Sequence, residues 1–224
     1  MRPYYEDNYV TLYHGDCLTE HREWLEADVL VTDPPYGTQP DSTKIGYGRR
    51  VQDDGFRGRV IANDAESGAR DEALEAWGDR PVIAFGSPRF PDPPGSWDHR
   101  LVWDKREPGL NGGPWRYTHE SIFVRGEGWR RVSASSFSII SFPSGNGTWE
   151  KRQHVHAKPV RLMETLIAAA PEGVIADPFA GSGSTLIAAR NLGRKAIGVE
   201  VEERYCELIA NRLAQGALDF GGIA

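Results

Sequence analysis

Two short segments of the sequence combine residue types that could do chemistry. In the first, VLVTDPPYG at residues 29–37, an apolar run leads directly into an acid, two prolines and a tyrosine. The apolar run is typical of a buried strand, and Pro34 and Pro35 must end it, because proline lacks a backbone donor and has a fixed φ. Asp33 and Tyr36 are therefore predicted at a stiff strand end, where open α/β sheets bind ligands. The alternative is a turn capped by Asp33.

The second segment, VIADPFAGSGSTLIAA at residues 174–189, places small residues between a predicted strand and a predicted helix. Backbone amides and the helix dipole at such a turn form a site for a polar ligand. Glu200 ends the next predicted strand, 17 residues after Gly183. An acid about 20 residues after such a turn commonly binds ribose hydroxyls. Leu186 stands where a dinucleotide fingerprint needs its third glycine, and no Lys-Ser/Thr pair follows the glycines as in a P-loop. An adenosine ligand without phosphate remains, with a tight turn that binds no ligand as the alternative.

The elements that must position these segments alternate in type. Strand patterns are predicted at 10–14, 29–33, 82–86, 100–105, 120–126, 173–177 and 195–200, and helical patterns at 19–27, 69–77, 158–170, 183–193 and 203–214. This alternation predicts a doubly wound, mostly parallel sheet in one α/β domain over residues 1–224. Residues 137–142, FSIISF, have the character of a hairpin.

Composition limits the class of protein. A chain of 224 residues is within the range of one domain. The two cysteines, Cys17 and Cys206, have neither disulfide-framework nor metal-site spacing, and no metal site is predicted. The sequence lacks an apolar signal core and any run near the ~20 apolar residues of a membrane span. We therefore expect a soluble, cytoplasmic protein, in a bacterial or phage-infected host cell, with no membrane partner.

Basic residues concentrate in two windows of a chain whose net charge is -6. Residues 44–59 hold five Lys/Arg against two Asp, and residues 125–158 hold six against two Glu. This distribution resembles a footprint for nucleic acid, with solvated surface as the alternative. The candidate nucleic-acid contacts are Lys44, Arg49, Arg50, Arg57, Arg59, Arg130, Arg131, Lys151 and Arg152.

The motif pair DPPY at residues 33–36 and DPFAGSGST at residues 177–185 resembles that of amino-methylating DNA methyltransferases that use S-adenosylmethionine (SAM). The tetrapeptide precedes the glycine turn, as in the circularly permuted beta arrangement of that family. Further similar segments are HGDCL (14–18), THESIFVRG (118–126), HAKPVRLMETLI (156–167) and RKAIGVEVEERYCELIANRL (194–213). The resemblance implies a Rossmann-like class I methyltransferase fold with one antiparallel hairpin strand, a catalytic-side loop at 38–66 and a small target-recognition insert at 127–153.

The resemblance also implies roles for the tetrapeptide. Asp33 and the carbonyl of Pro34 would accept the amino hydrogens of an adenine flipped out of double-stranded DNA. Pro35 would stiffen this arrangement, and Tyr36 would stack on the base.

The implied contacts with SAM come from strand ends and turns. They are Asp16, Cys17, Asp33, His156, Lys158, Asp177, Phe179, Ala180, Gly181, Ser182, Gly183, Ser184 and Glu200. Asp16 would reach the adenine amino group of SAM, and Glu200 the ribose. His156 and Lys158 could approach the methionine carboxylate, with ordinary helix-start surface as the alternative. Asp177 would hold either the turn or the SAM ammonium.

Several alternatives stay open. An Asp at the first position of the tetrapeptide favours adenine over cytosine within the family, so cytosine-N4 methylation is the nearest alternative. RNA methyltransferases with DPPY resemble the unpermuted order, which counts against them here. A catalytically silent SAM-fold DNA-binding protein would not need Asp33, Tyr36 and Glu200 together. The short insert is compatible with a homodimer.

Overall fold

A nine-stranded sheet organises the chain in this computed structural model, which describes residues 2–36, 68–106, 115, 117–132, 137–143 and 157–220, with side chains to residue 215. The strands are β1 (Tyr5–Glu6), β2 (Val10–His14), β3 (Val29–Thr32), β4 (Val82–Gly86), β5 (His99–Asp104), β6 (His119–Arg125), β7 (Ile139–Ser141), β8 (Ile175–Asp177) and β9 (Ala196–Glu200). The α-helices are α1 (Gly68–Trp77), α2 (Val160–Ala169), α3 (Ser184–Asn191) and α4 (Glu203–Phe220), and a 3-10 helix spans Glu23–Glu26.

The strand order is β1-β2-β9-β8-β3-β4-β6-β5-β7. The five strands from β2 to β4 in this order run parallel, and β6 lies antiparallel to both β4 and β5. This confirms the predicted α/β class with its mostly parallel sheet. It also makes β3 and β8 direct neighbours, with Val29 opposite Ile175 and Leu30 opposite Ala176. The strand that leads into DPPY therefore lies beside the strand that leads into the glycine turn.

Both faces of the sheet are covered, which explains why its central strands are continuously apolar. Side chains alternate along a strand, so Val29 and Val31 enter the core that α2, α3 and α4 share. Leu30 enters a second core, where it joins Trp24 of the 3-10 helix and Trp77 of α1. The rings of these two tryptophans are stacked, with centroids 5.9 Å apart.

The helix predicted at 19–27 is wrong in extent, because only residues 23–26 are helical, as a 3-10 turn. The preceding backbone forms a turn instead, in which the amides of Glu20 and His21 both donate to the carbonyl of Asp16, at 3.0 and 2.9 Å. The chain is then extended at Ala27. A regular helix therefore has no room to begin earlier or to continue.

The hairpin predicted at 137–142 is also wrong, because this segment contributes a single strand, β7. It pairs in parallel with β5, with Val102 opposite Ile139. The amide of Val102 donates to the carbonyl of Ser138 at 2.7 Å. The segment therefore pairs with the exposed edge of β5 and not with a second strand of its own.

The proposed functional segments are described only in part. The loop at 38–66 lies outside the described residues, and of the insert at 127–153 the structure describes 127–132 and 137–143. Among the described residues no helix has both the length and the apolar character that a bilayer crossing requires.

Candidate active site

The carboxyl ends of β3 and β8 bring the two motifs together. The Thr32 hydroxyl donates to Asp177 Oδ1 at 2.8 Å, across 145 residues of sequence. Thr32 directly precedes Asp33, and Asp177 directly precedes the glycine turn, so the motifs share one edge of the sheet. Burial raises the pKa of Asp177 to about 6, although hydrogen bonds from Thr185, Thr32 and the Phe179 amide oppose the rise. Asp177 therefore contacts the turn at Phe179 and Thr185, and its predicted role toward the SAM ammonium stays a prediction.

Asp33 ends a chain of four alternating charges. Its Oδ2 accepts a hydrogen bond from Lys158 Nζ, and its Oδ1 accepts one from the Tyr36 hydroxyl. Lys158 Nζ also lies 3.2 Å from Glu120 Oε2. Lys105 Nζ donates to the other oxygen, Glu120 Oε1. One donor thus holds each oxygen of the Asp33 carboxylate.

The middle of this chain is shielded from water. The side chains of Lys158 and Glu120 are 7% and 14% exposed. Burial lowers the pKa of Lys158, but the carboxylates of Asp33 and Glu120 outweigh it and raise the pKa above its usual value. Burial likewise raises the pKa of Glu120, but the ammonium groups of Lys158 and Lys105 outweigh it and lower the pKa. Both groups are therefore charged at neutral pH.

Tyr36 has an aromatic partner that sequence reasoning missed. Its ring stacks on Phe90, with centroids 6.3 Å apart and planes 20° from parallel. Phe90 follows β4 in a turn where its amide donates to the carbonyl of Ser87 at 3.1 Å. The buried Arg70 of α1 donates to the carbonyl of Pro91 at 3.0 Å and so anchors the same turn. The available signal was an aromatic residue soon after a buried strand that ends at the edge holding DPPY.

Glu200 holds the glycine turn from the end of β9. Its Oε2 accepts the amide of Gly181 at 2.7 Å, and its Oε1 accepts the amide of Glu202 at 2.8 Å. Burial raises the pKa of Glu200 to about 7, with the two amides opposing the rise. Because a carboxylate oxygen can accept two hydrogen bonds, Glu200 keeps acceptor capacity for hydroxyl groups.

The rest of the turn is fixed by contacts inside the protein. Gly183 has a φ of +79°, and a Cβ there would lie 2.7 Å from Ile209 Cγ1, so close packing of α4 requires this glycine. The Ser184 hydroxyl donates to the carbonyl of Lys158 at 2.7 Å and lies 3.2 Å from the hydroxyl of Ser182. The turn is thereby tied to the segment that begins α2.

Three further predicted cofactor contacts are placed near these groups. Asp16 follows β2, and its Oδ1 accepts hydrogen bonds from the amides of Leu18 and Thr19 at 2.8 and 3.0 Å. Ala180 is buried beside β9, where its amide donates to the carbonyl of Val199 at 3.0 Å. The side chain of Cys17 is buried in the second core, and burial raises the pKa of its thiol to about 12.

The structure does not bring all predicted residues together. Arg130 lies at the opposite edge of the sheet from Asp33, because its guanidinium donates to Glu172 at 2.8 Å and its amide to the carbonyl of Ala169 at the end of α2. Arg131, beside it, is exposed. The other predicted basic contacts and His156 lie outside the described residues: Lys44, Arg49, Arg50, Arg57, Arg59, Lys151 and Arg152.

Comparison with known proteins identifies relatives of this chain. The family model described as DNA methylase, of the N6/N4 type, matches residues 102–212, from β5 into α4. The chain is 44% identical over 66 residues to the Type II methyltransferase M.HindIII of Haemophilus influenzae, covering 29% of this chain and 21% of that protein. It is 24% identical over 259 residues to M2.MboI of Moraxella bovis, covering 95% and 91%.

Three relatives with strong local matches, M.HindIII among them, are spanned over only 21% to 43% of their own length. Solved structures match over most of their length. The M1.HpyAVI–SAM complex aligns with a TM-score of 0.62 and 20% identity, over 91% of this chain and 98% of that chain. The PvuII DNA methyltransferase (cytosine-N4-specific) aligns with a TM-score of 0.60 and 15% identity, over 94% and 88%. These likenesses show the fold, and together with the two motifs that meet at one sheet edge the match over residues 102–212 makes this chain similar to the N6/N4 family of DNA methylases.

Proposed function

We propose that the protein transfers a methyl group from SAM to the N6 amino group of adenine in double-stranded DNA. One observation carries this proposal: the contact between Thr32 and Asp177 that brings Asp33 and the glycine turn to the same edge. A base amine seated at Asp33 and a donor seated at the turn would lie next to each other. Catalysis by proximity requires this arrangement of two reactants.

The residues at the turn fit SAM as the methyl donor. Glu200 offers acceptors for ribose hydroxyls, and the turn carries neither the third glycine nor the lysine that a phosphate-bearing nucleotide would use. The related fold of M1.HpyAVI is solved with SAM. When bound, SAM supplies a methyl group activated on a positively charged sulfur.

The chain's own residues would prepare the amine. An exocyclic amino nitrogen is a weak nucleophile, because its lone pair is delocalised into the ring. Asp33 would accept one amino hydrogen and the Pro34 carbonyl the other, which localises the lone pair on nitrogen. Pro34 and Pro35 hold these acceptors rigidly, so little reorganisation accompanies the reaction. Asp33 would also take the proton that the amine loses.

An aromatic wall supports the extruded base. Chemistry on an amino group inside a duplex requires the base to leave the stack, at a cost of a few kcal/mol. Tyr36, backed by Phe90, offers a ring face that compensates for this lost stacking.

Cytosine-N4 methylation is the second candidate, and the likeness to the cytosine-N4-specific PvuII enzyme favours it. Asp33 occupies the position at which the family resemblance favours adenine. Both reactions need the same acceptor pair, so the geometry at Asp33 serves either base.

The experiment that tests the proposal identifies the product directly. The protein is incubated with SAM labelled in the methyl group and with double-stranded DNA, and the DNA is digested to nucleosides. We expect label in the N6-methylated adenine nucleoside. Label in the N4-methylated cytosine nucleoside would establish the second candidate instead, and label in neither would overturn the proposed function.

A further inference from the structure

The four alternating charges at the DPPY edge have a role of their own. We propose that Lys158 and Glu120 are positioning residues for Asp33: Lys158 orients the Asp33 carboxylate, and Glu120, with Lys105, holds Lys158 in place. The inference rests on the proposed function, because Asp33 is the group that would touch the substrate amine. It assigns Lys158 to the side of the site that binds the methyl-accepting base. The sequence, in contrast, predicted Lys158 near the methionine carboxylate of SAM.

The four groups come from separate parts of the fold. Asp33 follows β3, Lys105 follows β5, Glu120 lies on β6, and Lys158 precedes α2. Asp33 and Lys158 are 125 residues apart in sequence. Since each element holds its residue independently, the alternation of negative and positive charge reflects the packing of the whole sheet edge.

The site is built around the Lys158 ammonium. Its Nζ lies 5.0 Å from the centroid of the Phe85 ring and 6.0 Å from that of Trp103, and both rings belong to buried side chains. Lys105 Nζ lies 5.0 Å from the Trp103 ring. The rings attract both cations and exclude water from one side of the chain.

The backbone of Lys158 is fixed as well. Its carbonyl accepts the hydroxyl of Ser184, which is itself buried in the first turn of α3. The ammonium donates to Asp33 and forms an ion pair with Glu120, whose Oε2 lies 3.2 Å from Nζ. The side chain is therefore committed to these carboxylates and is not an ordinary surface lysine.

Stability alone does not account for this arrangement. Replacing a buried ion pair with apolar residues is often neutral or stabilising, so buried charges are weak evidence for a structural purpose. Perturbed ionisable groups instead cluster at functional sites. A carboxylate that must meet an amine in one orientation benefits from a fixed cation at one oxygen and the Tyr36 hydroxyl at the other.

The test separates turnover from cofactor binding. Values of kcat at saturating SAM and DNA, and the Kd for SAM by calorimetry, are measured for the wild type and for Lys158→Met, Lys158→Arg and Glu120→Gln. Since a misplacement of ~1 Å costs about 100-fold in rate, we expect a loss of that order in kcat for Lys158→Met, and about 10-fold for Glu120→Gln. Lys158→Arg keeps the charge and should recover part of the loss. The Kd for SAM should stay within about threefold in all three, because the change falls on the transition state and not on ground-state binding.

Glu172→Gln is the matched control, because it makes the same substitution in an exposed ion pair, with Arg130, at the opposite edge of the sheet. It should leave kcat and the Kd for SAM unchanged. Thermal melting identifies any variant that fails to fold; if Lys158→Met fails, Glu120→Gln and Lys158→Arg carry the comparison.

Three results would overturn the inference. A weakened Kd for SAM with full kcat in Lys158→Met would return Lys158 to the cofactor. Full kcat in a folded Glu120→Gln would remove Glu120 from the arrangement. Equal losses of kcat in Lys158→Arg and Lys158→Met would show that the positive charge beside Asp33 does not carry the effect. An active wild type with these results contradicts this inference alone, whereas a wild type that methylates no nucleoside contradicts the proposed function and this inference with it.

Discussion

At the scale of single residues, Asp33 is held by donors from two directions, Tyr36 in its own motif and Lys158 from a distant segment. The sequence was sufficient to predict that Asp33 follows a buried strand, because an acid between an apolar run and two prolines is a restrictive pattern; its role in the reaction stays a prediction. The sequence was not sufficient to predict the contact with Lys158. The two residues are 125 positions apart, and no local pattern indicates that they pair. Glu120 was missed for the same reason, since an acid within a strand pattern is most often a solvated side chain.

Replacing Asp33 tests its place in the reaction. We expect Asp33→Ala to abolish turnover, with a loss of at least about 1,000-fold in kcat, because the amine then lacks a charged acceptor. Binding of SAM should change little, since the turn held by Glu200 is intact. Calorimetric titration with SAM beside a methyl-transfer assay checks both quantities. If Asp33→Ala no longer binds SAM, Asp33 belongs to the cofactor site and not to the acceptor site.

The pKa of Glu200 gives a prediction about pH. Burial raises it from an ordinary 4.5 to about 7, so ionisation of Glu200 disfavours the folded state, and its contribution to the free energy of unfolding falls as pH rises from about 4.5 to 7. Ionised Glu200 is the better acceptor for hydroxyl groups, so the affinity for SAM should rise between about pH 6 and 8. In Glu200→Gln the affinity should be about 10-fold weaker and nearly independent of pH in this range.

The control for this measurement is Glu172→Gln. The side chain of Glu172 forms an exposed ion pair with Arg130 at the opposite edge of the sheet. This variant should retain the affinity of the wild type and its pH dependence. An unchanged Kd for SAM in Glu200→Gln would contradict the ribose assignment.

At the scale of elements, the central strands were predicted well because both of their faces are buried, so nearly every residue carries the apolar signal. Phe85 and Ile83 of β4, for example, enter one core while Val82 and Ala84 enter the other. The 3-10 helix and β7 were predicted poorly. Hydrogen bonds to the Asp16 carbonyl limit the extent of the 3-10 helix, and pairing with the edge of β5 determines the conformation of β7. Pairing between distant segments overrides local pattern in both places.

The turn after β4 gives a prediction for base extrusion. Phe90 stacks on Tyr36 and is held by the anchored turn, so Phe90→Ala should leave the Tyr36 ring less well placed. We expect a smaller extruded fraction of a fluorescent adenine analogue at the target position, with the affinity for DNA nearly unchanged, because phosphate contacts supply most of that affinity. Phe90→Tyr keeps the ring and should restore the extruded fraction. Equal signals for Phe90→Ala and the wild type would remove Phe90 from the pocket.

Two glycines with similar backbone angles separate strain from packing. Gly183 and Gly193 have φ values of +79° and +68°, but an added Cβ meets Ile209 only at Gly183 and nothing within 4 Å at Gly193. Gly193→Ala should therefore cost about 1 to 2 kcal/mol, the price of the left-handed conformation. Gly183→Ala should cost more, because α4 must also shift, and chemical denaturation measures both. Equal losses would mean that Ile209 moves aside freely.

At the scale of the whole molecule, the order of the two motifs along the chain was informative. Their adjacency in space follows from the pairing of β3 with β8, which that order does not reveal. The tetrapeptide before the glycine turn indicated a permuted family member, and the fold agrees with this class. The sequence could not reveal which edge of the sheet receives a given basic residue. Arg130 illustrates this, since it lies in a basic window but at the edge opposite Asp33.

The sideways pairing of β3 with β8 has a consequence for ancestry. The strand that leads to Asp33 and the strand that leads to the glycine turn are joined by lateral hydrogen bonds, and no direct chain connection links them at the end of the sheet that carries the motifs. The coding regions for the two halves could therefore be transposed, with new ends and a new joint, while the distance between incoming amine and departing methyl stays as it was.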